Sequence, residues 1–196
     1  VGTATWYCNT YNDTASSTYD APYVSINGGS GAVSFANEDL LITSLPIKFD
    51  ALAANHSRNA TLSFYEKRRF GGNGVTRGVY YSTDYAGDAA AATWVAINDN
   101  LPAISQTGSF FPASVNINNA ANTNQPFYIA FKYTSISDTD TAVNWEWALD
   151  RISVNYTDTD TSTTSTNKLS ADNIFADVLG NATTENIDLR LSVRKD

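Results

Sequence analysis

The chain of 196 residues holds one cysteine, one histidine and no methionine, and each scarcity closes off a class of chemistry. Cys8 has no second cysteine to bridge within the chain, and Cys8 with His56 cannot furnish the ligand set of a zinc site. A Ser-His-Asp or Cys-His apparatus would have His56 as its sole imidazole. Charge is scarce as well: 16% of residues are charged, with twelve basic against twenty acidic and a formal net charge of −8. A nucleic-acid or anionic-membrane partner calls for a basic surface, which this balance denies. No glycine-rich phosphate loop of the GxxxxGK[ST] or GxGxxG type occurs. No apolar run approaches the roughly 18 residues of a membrane-spanning helix. The sequence opens on Val1 without a charged-then-apolar leader, so a mature or trimmed product is expected.

What is present is a globular composition, 42% hydrophobic and 12% aromatic, in a length that suits one domain. The polar surface comes from neutral groups, 20 Asn, 23 Thr and 19 Ser, a texture common outside the cell. Five Asn-X-Ser/Thr sequons start at Asn12, Asn55, Asn59, Asn155 and Asn181, and they matter only in a source that glycosylates them. Short segments rich in β-branched and aromatic residues recur at 23–26, 40–42, 61–65, 79–81, 93–97, 127–133 and 147–154. Turn clusters at 27–31, 71–74, 98–100 and 116–124 separate them. The alanine run at 86–92 reads as a loop before Trp94. This pattern predicts an all-β fold, an antiparallel β-sandwich of jelly-roll type. The expected organisation is an N-terminal extension over 1–19, the sandwich over 20–156, and a tail over 157–196. The tail opens with a Thr/Ser-rich linker and ends in strands docked on this sandwich or a neighbouring one.

Four segments in order carry a family resemblance. They are Asn37-Glu-Asp-Leu-Leu-Ile-Thr-Ser44, Thr61-Leu-Ser-Phe64, Tyr81-Ser-Thr-Asp-Tyr85 with Ala92-Thr-Trp94, and Ile129-Ala-Phe-Lys-Tyr133 with Trp147-Ala-Leu-Asp-Arg-Ile-Ser-Val154. Together they resemble the jelly-roll domain of the cleaved-adhesin and choice-of-anchor J group, related in shape to MAM domains and carbohydrate-binding modules. The resemblance covers about residues 20–155. One departure is Leu40, where an aromatic often follows Glu-Asp. The resemblance implies adhesion or glycan binding at a secreted or cell-surface location, with a structural calcium. It points the calcium to Glu38, Asp39 and Asp150, on the view that first and last strands lie side by side. Ca²⁺ takes six to eight oxygens at about 2.3–2.6 Å. The Asp-Thr-Asp pairs Asp138/Asp140 and Asp158/Asp160 are looser candidates, lacking the Gly and terminal Glu of an EF-hand loop.

Candidate ligand residues come from two features. Lys67, Arg68, Arg69 and Arg77 gather four of the twelve basic residues within eleven positions. A hairpin around 71–74 would set Lys67 and Arg77 on one face, where a ligand carboxylate or sulfate would relieve the like-charge opposition. The bland alternative is a solvated edge neutralised by Glu66 and its neighbours. Aromatics are the second feature, because sugar C–H faces stack on rings. Trp94 and Trp147 are expected in the core; Tyr85 and Trp145 are the candidates for an exposed platform. Glu146, between two tryptophans, tempts as a glycosidase acid, but no partner carboxylate is identifiable. The functional expectation is a non-catalytic module for adhesion to a polysaccharide or surface glycan. The rival is a structural subunit of an extracellular filament or surface layer, self-associating through terminal strands.

Overall fold

Residue alternation along one long strand organises the molecule. From Arg58 to Arg68 every second side chain of Arg58, Ala60, Leu62, Phe64, Glu66 and Arg68 is buried on one face, while Ser57, Asn59, Thr61, Ser63 and Tyr65 point the other way. This period of two is what a strand with one face against a core requires. The computed structural model describes residues 5–9, 23–30, 33–34, 36–54, 56–69, 75–98, 101, 109–137, 146–160 and 185–188.

The strands are β1 (Tyr7–Asn9), β2 (Tyr23–Asn27), β3 (Gly29–Ser30), β4 (Val33–Ser34), β5 (Asn37–Ile42), β6 (His56–Arg69), β7 (Thr76–Ser82), β8 (Val95–Asn98), β9 (Phe111–Asn116), β10 (Tyr128–Ser135), β11 (Glu146–Asp160) and β12 (Glu185–Asp188). A single helical turn, α1 (Asn118–Ala121), follows β9. One sheet has the order β1-β2-β11-β6-β9, with β12 also paired to β11; the other is β5-β10-β7-β8; β3 and β4 form a small ribbon. Every pairing is antiparallel. The chain crosses between the sheets from β2 to β5, β5 to β6, β6 to β7, β8 to β9, β9 to β10 and β10 to β11. The fold is the expected antiparallel jelly-roll sandwich.

The core lies between the inner faces. Phe64 from the larger sheet meets Phe131 from the smaller one, ring centroids 5.2 Å apart, and Phe131 in turn meets Trp147 at 6.0 Å. Trp147 is fully buried, as expected. Trp6, just ahead of β1, packs on it at 5.4 Å, so the N-terminal strand is tied into the same core. Residues 157–160, expected to begin a linker, are instead the last part of β11, paired with the start of β6. Alternating β-branched threonines suit a strand, and Asp158 finds an ionic partner directly opposite in Arg58. Strand β9 falls where the sequence showed only a turn cluster at its end. A bulge interrupts β11 between Asp150 and Ser153, where Arg151 takes a left-handed φ of 48°. On one edge of β11, β2 pairs up to Leu149 and β12 takes over from Ser153.

Candidate functional site

The basic cluster is not a surface patch. β6 and β7 belong to different sheets, so no hairpin sets Lys67 and Arg77 on one face, and that expectation is corrected. Arg77 points inward from the smaller sheet and ion-pairs with Glu66 of the larger one, across the sandwich. Trp147 Nε1–H donates to the same Glu66 carboxylate at 2.9 Å, and Arg77 also donates to the Leu101 carbonyl at 3.3 Å. Burial pushes the Glu66 pKa up, against the lowering pull of Arg77, the Trp147 hydrogen bond and Arg68. Burial brings Arg77 down to about 10 despite Glu66, so it stays cationic at neutral pH. Arg68, also buried, is lowered by the same desolvation and supported by Glu66.

Lys67 lies on the opposite face of β6, fully buried, its ammonium 4.4 Å from the Tyr23 ring centroid and 5.0 Å from that of Phe110. It donates to the Tyr23 hydroxyl at 3.2 Å, so it clamps the start of β2 to the approach to β9 through cation–π contact. A buried cation needs such partners; this reason, rather than ligand binding, accounts for the placement of Lys67 and Arg77. Trp145 and the side chain of Arg69 lie outside the described residues.

The calcium trio does not assemble. Glu38 and Asp39 are on β5 in the smaller sheet and Asp150 is on β11 in the larger, because β5 pairs with β10 and not with the last long strand. Glu38 is exposed and pairs with Lys132 at 2.9 Å. Asp150 accepts from its neighbour's backbone, Arg151 N–H, at 2.7 Å; partial burial raises its pKa against the pull of that bond and of the Arg151 charge. Among the described residues no group of three or more His, Cys, Asp or Glu side chains is placed to hold a metal. Asp158 is committed to a bidentate pair with Arg58 at 2.7 and 2.5 Å, under the rings of Phe49 and Tyr156. Asp138 and Asp140 lie outside the described residues, as do Asn12, Asn55 and Asn181 among the sequons. Glu146 is buried at the start of β11.

The sequence expectation that the structure develops is Tyr85. The loop after β7 carries Tyr85 into contact with Tyr128, centroids 4.9 Å apart and edge-on, and with Trp94 at 5.7 Å. All three rings are partly exposed, so Trp94 is not the core residue expected; it precedes β8 rather than sitting within a strand. The loop is stapled from inside. Asp84 Oδ1 accepts from the Ser82 hydroxyl at 2.6 Å and from Thr93 N–H at 2.8 Å, joining its two ends. Those hydrogen bonds hold the Asp84 carboxyl below the usual range. Trp94 Nε1–H donates to the Ala89 carbonyl at 3.0 Å. The trio borders the outer face of the smaller sheet. There, outward positions of β5, β7 and β10 present Leu40, Ile42, Tyr80, Tyr128 and Lys132, with the Lys132 ammonium 5.8 Å from the Tyr80 ring centroid. A rigid frame, part-exposed rings and adjacent polar groups can hold a ring-shaped, hydroxylated ligand.

These features define an antiparallel jelly-roll sandwich with an aromatic cluster on one outer face. The profile of the family described as "Domain of unknown function (DUF5017)" matches residues 48–173, well over half the chain, and the chain belongs to that family. No curated protein matches it. Among solved structures it is similar to the K1 cleaved adhesin domain of Lys-gingipain from Porphyromonas gingivalis W83. The identity is 19%, covering 76% of this chain and 82% of that one, with a TM-score of 0.45. The K3 cleaved adhesin domain of the same protein gives 16% identity, 69% and 74% coverage and a TM-score of 0.42. TmCBM61, solved with β-1,4-galactotriose, gives 11% identity, 80% and 82% coverage and a TM-score of 0.39. The first two of these neighbours carry the name of the group that the sequence motifs resemble. Among the described residues no helix is long and apolar enough to cross a membrane.

Proposed function

We propose that the chain is a non-catalytic adhesion or carbohydrate-binding module of a secreted or surface protein, engaging a glycan at the Tyr85–Trp94–Tyr128 cluster. The supporting observation is that three rings, each partly open, are fixed by a loop whose ends Asp84 joins. Rings held in advance lose little conformational freedom on binding. Sugar C–H faces stack on them, while hydroxyls bond to polar groups such as Lys132. Titration calorimetry against a panel of neutral and anionic oligosaccharides tests the reading, with a signal that does not depend on Trp94. Removing one platform ring, a loss of about 1 kcal/mol, lowers affinity roughly fivefold in W94A or Y128A. No binding across the panel, or unchanged affinity in both variants, overturns it.

The filament reading draws on the strand ends. β1 borders the larger sheet with Tyr7 and Cys8 exposed, and β12 pairs onto β11 from far along the sequence. Such strands suit exchange between subunits, although here each pairs within its own chain. Sedimentation over a concentration series, with calcium and with chelator, tests it. A monomer throughout ends this reading, and elemental analysis of the same samples decides whether calcium is bound.

A further inference from the structure

A charged side chain stands in the middle of the outer face of the smaller sheet. β10 is paired on both sides, by β5 and β7, and its Lys132 points outward, directly opposite Leu40 and Gly78. Lys is depleted from strands, and among the described outward positions of β5, β7, β8 and β10 it is the only cation. Its side chain is 28% exposed, because the stem lies along an apolar setting. Leu40, Ile42 and Tyr80 share this face, the Tyr80 ring centroid 5.8 Å from the ammonium. Gly78 has no left-handed φ, so the backbone does not call for glycine there. Inside a paired strand such a glycine gives up packing and often marks a place where a ligand approaches closely.

Charge identifies the occupant. Lys132 already holds a carboxylate, that of Glu38 at 2.9 Å, and the Glu38 side chain is 61% exposed. A pair so open to water is worth little, so a ligand carboxylate that is also held elsewhere on the protein can take its place. The second hold is at hand. Tyr128 points outward from the same strand, four residues before Lys132, a separation of about 13 Å along β10. That is the reach of a short oligosaccharide. A sugar stacked on the Tyr85, Trp94 and Tyr128 rings therefore brings an acid group further along the chain over Lys132. The net charge of −8 repels a polyanion at long range, and one cation matches one acid group.

We infer that the glycan carries a single acidic sugar, whose carboxylate replaces Glu38 on Lys132 while a neighbouring unit stacks on the aromatic cluster. The inference rests on the carbohydrate reading of this site and names its ligand class. Calorimetric titration of glucuronosyl-xylobiose and 3′-sialyllactose, each beside its own methyl ester, tests it, since the ester keeps the rings and loses the charge. The expected result is that at least one acid binds about tenfold tighter than its ester. K132Q should bring that ratio near one and K132R should keep it. E38Q, which removes the competing carboxylate, should widen it about threefold, and W94A should weaken acid and ester alike. Equal binding of acid and ester, or a ratio that K132Q does not move, overturns the inference. Should K132Q fail to fold, a ratio unmoved in E38Q overturns it equally. Hexagalacturonate binding tighter than either single acid also overturns it. Neutral oligosaccharides bound without any acid preference sink this inference and leave the carbohydrate reading standing, whereas binding of no saccharide at all removes both.

Discussion

Glu66 lies between two buried guanidiniums, Arg77 and Arg68, and removing it should cost more than removing Arg77. In E66Q the amide still accepts from Trp147 Nε1–H, but Arg77 and Arg68 keep their charges inside the sandwich. An arginine cannot shed its proton near neutral pH, since even Arg77 sits at about 10. Breaking a buried pair from one side costs about 3–5 kcal/mol. With a urea slope of about 2 kcal/mol per M, the midpoint falls by roughly 1.5–2.5 M. In R77M the stranded group is a carboxylate, still bonded to Trp147 and near Arg68, and it has an escape. Burial already raises its pKa; without Arg77 it rises further, and the native state takes up a proton. An acid with a raised folded pKa binds more protons folded than unfolded, so stability falls as pH rises through that window. The R77M deficit should therefore shrink between pH 8 and pH 5, while that of E66Q should not. The double variant E66Q/R77M should lose much less than the sum of the single losses, because the two groups are in direct contact and neither is then left without the other. Urea melts of the four proteins at both pH values supply the measurement. Additive losses, or an R77M deficit equal at both pH values, would show that the pair is not the determinant argued here.

Tyr133 is pushed up to about 12 by burial, against its hydrogen bond from Gly28 N–H. Stability should therefore be level below pH 10 and fall by about 2–3 kcal/mol toward pH 12, a drop that Y133F should not show in paired alkaline melts. Gly28→Ala would put a Cβ 2.7 Å from Ser135 Oγ, so a loss of about 1–3 kcal/mol is expected by thermal melt. In D84A the loop between Ser82 and Thr93 loses its staple. Faster thermolysin cleavage within 83–93 and weaker glycan binding are expected, with the core melt little changed. The wild-type loop should show the same loosening only as pH falls below the ordinary carboxylate range, because the folded Asp84 pKa is depressed.

The strands were legible wherever apolar and polar residues alternate, as in Thr61-Leu-Ser-Phe-Tyr and along β10. The buried charges were not, because Lys67, Arg68 and Arg77 read as a surface cluster when each is judged by its own type. The signal was nevertheless present: extending the period of two from Leu62 and Phe64 lands on Glu66 and Arg68, on the core side. What sequence cannot supply is the partner that makes such burial tolerable, since Arg77 reaches Glu66 only by crossing between sheets. Tyr85 was a candidate by type; its companions Trp94 and Tyr128 needed the loop geometry that Asp84 creates. Residues 157–160 read as linker from composition alone, because nothing local announces that Asp158 faces Arg58.

The bulge in β11 has a mechanical consequence. β2 runs antiparallel to β11 and starts beside its bulge, at Tyr23, while β12 ends beside the same bulge, at Asp188, opposite Ser153. The two strands thus point the same way, and tension applied at Tyr23 and Asp188 enters the sheet at nearly one place, a few residues apart on β11. Each strand would be opened from its loaded end, one backbone bond at a time, rather than sheared along its length. Opening β2 from Tyr23 meets the packed layer within three residues, at Ile26 opposite Trp147, whereas β12 pairs with β11 beyond the bulge, so β12 should yield first while the sandwich stays folded.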